Sequence, residues 1–306
     1  MKDTLNLYQQ IAYNKRMSIL VMLGFALFGL LFALAITVFL ELPPEGSIFI
    51  IIIVCLLMFV QYSFASRMIL GFTGARPARR EEYPFIYHTV EGLAIAAGIP
   101  APKCYIIESA APNAFATGRS PNEGVVALTT GLIDKLNNEE IEGVIAHEIA
   151  HIQNYDIRIA TIAIAFIGII ALISEIFARS LWFGTRGRSR RRQGKGGGQG
   201  LILVAALVFV ILAPIFARIL HLTLSRRREF LADSSGAWLT RNPGGLASAL
   251  RKIAGGQEPL DQASATTAPL YIVNPLNKAA QGNSWFSTHP PLSQRIEILE
   301  KLSYKK

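Results

Sequence analysis

Asn137-Asn-Glu-Glu-Ile-Glu-Gly-Val-Ile-Ala-His147-Glu148-Ile149-Ala150-His151-Ile-Gln-Asn-Tyr-Asp156 decides the reading of this chain. Asn137, with Glu140 three positions later, makes a capping-box start, and Glu139, Glu140 and Glu142 put negative charge in the first turns of a helix. Ile141, Val144, Ile145, Ile149 and Ile152 recur at helical spacing, and no proline interrupts them. On that helix His147 and His151 stand one turn plus about 40° apart, so both imidazoles can reach one metal ion, with Glu148 beside them. This is the H-E-x-x-H arrangement: two His hold zinc and the Glu acts as general base on water. The plainer reading, two exposed helix histidines without a metal, competes with a chance occurrence of roughly one in a few hundred. Gly143, Ala146 and Ala150 are small enough for another helix to come close.

Outward from this helix, the 306-residue chain is 51% hydrophobic and only 17% charged, which a water-soluble protein rarely is. Its two cysteines, Cys55 in an apolar run and Cys104 in an expected strand, make neither a zinc cluster nor a disulfide framework. The net charge of +9 does not point to nucleic acid, because Arg and Lys gather beside apolar runs at 76–80, 186–195 and 226–228. Contact with anionic lipid headgroups explains that placement better.

Met17 to Leu40 carries no charge over 24 positions, about 36 Å as a helix, and Ser47 to Ala65 supplies a second span. The first is too long for a signal-peptide core and is expected to stay as an anchor. Lys2, Lys15 and Arg16 precede this hairpin, and Arg67, Arg76, Arg79 and Arg80 follow it. The turn Glu41–Gly46 has no Lys or Arg, which places both ends in the cytoplasm.

From Glu81 the composition is that of a soluble domain. Tyr83 to Ile99 reads as a helix, and Lys103–Glu108 and Gly124–Thr129 as strands. Between them lies Pro112-Asn113-Ala114-Phe115-Ala116-Thr-Gly118. Such a small sheet can hold an extended peptide by strand addition through Asn113–Ala116, or serve structure only. His88, alone in its helix, and His221, at the edge of an apolar run, read as packing or surface residues.

Two further apolar runs, Ile157–Ala178 and Gly200–Leu222, flank a basic, glycine-rich loop at 184–198. They either span, leaving that loop outside against the positive-inside tendency, or pack as a hairpin in the interface. In both cases two antiparallel helices return the chain near the point it left. His151 lies six residues before the first run, and Glu229 lies seven after the second, placed as a third metal ligand. Asp233, one turn later, is suited to accept a hydrogen bond from a ligating imidazole. Taken alone, Arg226-Arg-Arg-Glu229 is also an ordinary solvated charge run.

The segment Ser225-Arg-Arg-Arg-Glu-Phe-Leu-Ala-Asp233, the His147–His151 helix with Asn154 and Asp156, and the late Thr288-His-Pro-Pro291 with Arg295 resemble HtpX-type membrane metallopeptidases. These are relatives of the prenyl-protein CaaX endopeptidases. The resemblance implies one zinc ion per chain on His147, His151 and Glu229, Glu148 as catalytic base, and a role for His289. It also implies proteolytic quality control of membrane proteins at the cytoplasmic face. For His289 the expected role is a donor to the oxyanion; Arg295 shares that candidacy, or pairs with Glu297 or Glu300, or faces solvent.

The expected fold is a mainly α integral membrane protein with a zincin-like metallopeptidase domain and a small β-sheet. Its expected segments are 1–80 (hairpin and basic linker), 81–156, 157–222 (second hairpin) and 223–306. The partners expected are polypeptide substrates and anionic lipid, with no nucleic acid; the oligomeric state is not readable. A CaaX-type prenyl-protein endopeptidase and a non-enzymatic membrane scaffold are the alternatives. Intact Glu148 speaks against the scaffold, and the scarcity of polar residues in the spans speaks against a transporter.

Overall fold

A computed structural model of the chain describes residues 7–39, 43–164, 226–255, 260, 267–273, 275 and 290–303. Two long helices come first, α1 (Leu7–Phe39) and α2 (Pro44–Phe72). At a rise of about 1.5 Å per residue each exceeds a hydrocarbon core of about 30 Å. Among the described residues these are the two helices long and apolar enough to cross a membrane. Leu20, Leu23, Phe49, Leu57 and Phe59 on them are all 60% exposed or more. Apolar surface of that extent suits a membrane. Of the later runs, residues 157–164 are helical. The remainder of both, and the basic loop at 184–198, lie outside the described residues.

The chain divides into two compact units, one of Met1–Ser18, Ser66–Thr161 and His221–Lys306, the other of Ile19–Ala65 and Ile162–Leu220. The first unit is built on a sheet of β1 (Arg76–Pro77), β2 (Lys103–Ile107), β3 (Ala114–Thr117) and β4 (Val125–Thr129), in the order β1-β2-β4-β3. β2 and β4 run parallel, Lys103 opposite Val125, and β3 is antiparallel to β4, Ala114 opposite Leu128. One of these strands, β1, goes beyond the sequence reading. β3 forms within the stretch between the two expected strands, over most of Asn113–Ala116, and all four of its side chains are buried. β1 forms in the stretch taken as basic linker, short and carrying Pro77, as suits an edge.

The helices α3 (Pro84–Ala97), α4 (Thr130–Lys135) and α5 (Asn138–Gln153) pack on the sheet, and α6 (Arg226–Thr240), α7 (Pro243–Ala254) and α8 (Leu292–Ser303) pack on α5 and on one another. α5 lies at the centre, packed against α3, α6, α7 and β3. Ile145, Ile149 and Ile152 of α5 share one core with Ile106, Leu128, Leu246, Leu250 and Leu299. The close approach expected at Gly143 is made by α7: a Cβ on Gly143 would lie 2.7 Å from the Leu246 nitrogen.

The arginines at 76–80 are engaged with the chain's own acids. Arg76 donates to Glu108 and Glu82, and Arg80 to Glu91. In the 226–228 cluster, Arg226 and Arg227 are exposed while Arg228 is buried.

Candidate active site

α5 starts on the capping box expected of it. The Asn137 side chain accepts from the Glu140 N–H at 2.9 Å, and the Glu140 carboxylate accepts from the Asn137 N–H at 2.8 Å. Ser248 and Lys252 of α7 also donate to that carboxylate, at 2.6 and 2.8 Å. With its start fixed, the helix presents His147 and His151 with their rings perpendicular and their Nε2 atoms 3.1 Å apart.

α6 brings the third group. Glu229 Oε2 lies 3.7 Å from His147 Nε2, and Glu229 Oε1 lies 3.6 Å from His151 Nε2. The residues fit a metal by two tests. Ligands at about 2.1 Å on a tetrahedral ion stand about 3.4 Å apart, close to these three separations. Each Nδ1 also faces a carboxylate, His147 to Asp233 Oδ1 at 3.0 Å and His151 to Asp156 Oδ2 at 3.1 Å. A carboxylate only accepts, so each Nδ1 carries the proton and each Nε2 presents a lone pair to the same point.

The electrostatics of His147 agree. Burial, the Arg295 guanidinium and His151 outweigh the Asp233 carboxylate and hold the His147 imidazole down at about 4, neutral as a ligand must be. Burial acts against charge at His151 too, but Asp156, Glu229 and Glu148 outweigh it and raise that group to about 9. The negative field that would protonate His151 equally favours a divalent cation. Burial, with the charge of Glu229, pushes the Glu148 carboxyl up to about 7, against His151, Arg295 and the Ala116 backbone N–H.

Arg295, on α8, lies in neither of the surroundings expected for a substrate contact or a surface pair. It is wholly buried, donating to Asp233 and Ile272 O and 3.3 Å from Glu229 Oε2. Glu297 pairs with Lys301 instead, and Glu300 with Arg251. Asn113 and Ala114 are also engaged within the chain: the Asn113 side chain bonds both backbone groups of Val273, and Ala114 O accepts from Ile272 N. His289, and the other late acids Glu258 and Asp261, lie outside the described residues, as does His221. His88 is exposed beside Glu91. Asp156 is the carboxylate the sequence reading left without a task. It sits just beyond α5, and its signal is an acid five positions after a ligand histidine.

Residues 81–303 match Peptidase family M48. The chain belongs to that family. This M48 peptidase is 45% identical over 297 residues to a protease HtpX homolog of Dictyoglomus turgidum, covering 96% of this chain and 94% of the relative. It is 44% identical over 303 residues to the Listeria monocytogenes serotype 4a homolog, covering 97% and 100%. Among solved structures it is similar to S. mikatae Ste24p, with a TM-score of 0.44 and 21% identity over 80% of this chain and 58% of that one. The M48 peptidase is a metal-dependent protease whose substrates are polypeptides.

Proposed function

We propose that this M48 peptidase is an integral membrane zinc endopeptidase that cleaves misfolded or damaged membrane proteins at the cytoplasmic face. The observation that carries the reading is the convergence of His147 Nε2, His151 Nε2 and the Glu229 carboxylate, all within 4.8 Å of one another. One zinc ion held there supplies a Lewis acid for the scissile carbonyl and brings the pKa of water down toward about 7. Glu148 removes the proton of the attacking water and delivers it to the leaving amine. Asp233 and Asp156 keep the two imidazoles turned with their Nε2 atoms inward.

β3 is the sheet edge packed against α5, the helix that carries Glu148, and the Ala116 backbone is among the groups that act on that carboxylate. A peptide added along it would meet the base at Ala116; the Asn113 and Ala114 end of the edge is already paired with Ile272 and Val273 of the chain itself. His289 is the proposed oxyanion donor. The cytoplasmic orientation rests on the basic residues outside the first hairpin and their absence from its turn. Exposed Arg226 and Arg227, next to an apolar run, suit anionic headgroups.

The test uses full-length protein in detergent with casein as substrate. Wild type is expected to lose cleavage on chelation and regain it with zinc. Glu148→Gln is expected to keep its zinc and cleave about a hundredfold more slowly or worse. Near-normal cleavage by that variant would refute the mechanism.

A further inference from the structure

The N-terminal helix carries a polar stripe that anchoring does not explain. Gln10, Asn14 and Ser18, spaced four apart on α1, are all buried. Asn14 is fully enclosed, and its Nδ2 donates to Asn154 O at 2.8 Å and to Asp156 Oδ1 at 2.7 Å. Gln10 donates to the Asn14 side-chain oxygen, so the amide has one orientation. The next residue, Lys15, places its Nζ 4.4 Å from the centre of the Tyr155 ring. Tyr155 has φ 62, a left-handed backbone that a tyrosine adopts at a cost. That reversal turns Asp156 back under α5, where its other oxygen accepts from His151 Nδ1.

We propose that Asn14 is a positioning residue for His151, holding the turn 154–156 so that the Asp156 carboxylate fixes the imidazole for metal binding. The inference rests on the zinc site proposed above. The carboxylate has a competing partner: Arg228 Nε lies 3.7 Å from the same Oδ1 that Asn14 holds. Loss of the Asn14 donor lets Asp156 rotate toward that guanidinium and away from Nδ1. The N-terminal helix thus supports the metal centre as well as serving as an anchor, and a chain shortened past Ser18 loses metal affinity while both apolar runs remain.

The test is Zn²⁺ affinity of the full chain in detergent, measured by chelator competition. Asn14→Leu is expected to weaken binding about tenfold, as loss of outer partners of a ligand does. In an Asp156→Asn background the same change is expected to add less than about twofold, because the group it acts through is gone. Ser18→Ala, whose hydroxyl bonds the Asn14 carbonyl within α1, is expected to bind as wild type. Unchanged affinity in Asn14→Leu, or an equal loss in both backgrounds, overturns the proposal. Should Asn14→Leu not fold, Asn14→Ala replaces it with the same expected loss, since it too removes the donor to Asn154 and Asp156, and unchanged affinity there is equally fatal. A wild-type chain that retains no zinc would sink the metal site itself, whereas a zinc-binding wild type with indifferent variants sinks this inference alone.

Discussion

Arg295 and Asp233 meet side-on, guanidinium Nε and Nη2 standing 2.8 and 2.7 Å from the two carboxylate oxygens, with both side chains closed off from solvent. Asp233 in turn faces His147 Nδ1, so α8 is tied through α6 to the first ligand on α5. Burial raises the cost of charge on Asp233, yet Arg295 holds its pKa below the usual carboxylate value.

Removing the cation should therefore be severe. Arg295→Ala leaves a buried carboxylate uncompensated, and a loss of about 3–5 kcal/mol of stability is expected. Arg295→Lys keeps the charge but not the fork, so it should fall between. Thermal unfolding of the purified variants checks the order; an Arg295→Ala protein as stable as wild type would mean that Asp233 is not charged.

Glu229→Ala should release the metal without unfolding the chain. Three converging ligand groups become two, and the loss of zinc affinity should exceed the 10–100-fold, roughly, that outer partners produce. Metal content after mild chelation is the measurement. Full occupancy would move the third ligand to another acid, Glu258 or Asp261.

How much of this could be read from residues alone follows from the range of the forces involved. α5 was legible because its cap, its apolar period and its two histidines are all local. Glu229 was placed by the hairpin that returns the chain near His151, and Asp233 by helical spacing from Glu229. Arg295 was not: a buried arginine and a surface one have the same sequence signature until the partner, 62 residues away, is known. Asp156 was seen but not understood, since its direction depends on a left-handed tyrosine that no glycine announces. Asn14, 142 positions before Asp156, hid among residues read as an anchor. β1 was missed because two residues give no periodicity to detect.

The Glu140 carboxylate gives a pH dependence away from the metal. Burial alone would raise its pKa, but Lys252, Ser248 and the Asn137 N–H outweigh burial and lower it. A folded value below the unfolded one, about 4.3, contributes stability that is present above that value and fades as pH falls through the lowered one. Glu140→Gln keeps the capping box, because a Gln oxygen also accepts from the Asn137 N–H, but loses the charge that faces Lys252, so it should melt below wild type near pH 6, by up to about 1 kcal/mol for a half-exposed pair. The gap should close below about pH 4. Both proteins are compared metal-free, so that loss of zinc in acid does not contribute. A gap that stays constant from pH 6 to pH 3 would show that the charge is irrelevant.

Gly236 sets the distance between the two ligand helices. Glu229, Asp233 and Gly236 share one face of α6 at i, i+4 and i+7. A Cβ on Gly236 would lie 3.0 Å from the His147 nitrogen and 3.3 Å from its Cα, so the α6 backbone rests on α5 at the ligand itself. Alanine forces a shift of a few tenths of an ångström, and leucine requires the helices to part. Stability is an ambiguous readout, because alanine also gains about 1 kcal/mol of helix propensity over glycine. Zinc affinity is not: moving α6 outward moves Glu229 from both Nε2 atoms. Affinity should fall several-fold in Gly236→Ala and by a larger factor in Gly236→Leu, with overpacking costing about 1–3 kcal/mol in the latter. Gly244 is the control, since a Cβ there would meet only the Asn242 and Ser303 side chains at 3.5 and 3.7 Å. Gly244→Ala should bind zinc as wild type does. Wild-type affinity in Gly236→Leu would mean that Glu229 reaches the site by side-chain length and not by the closeness of α6 to α5.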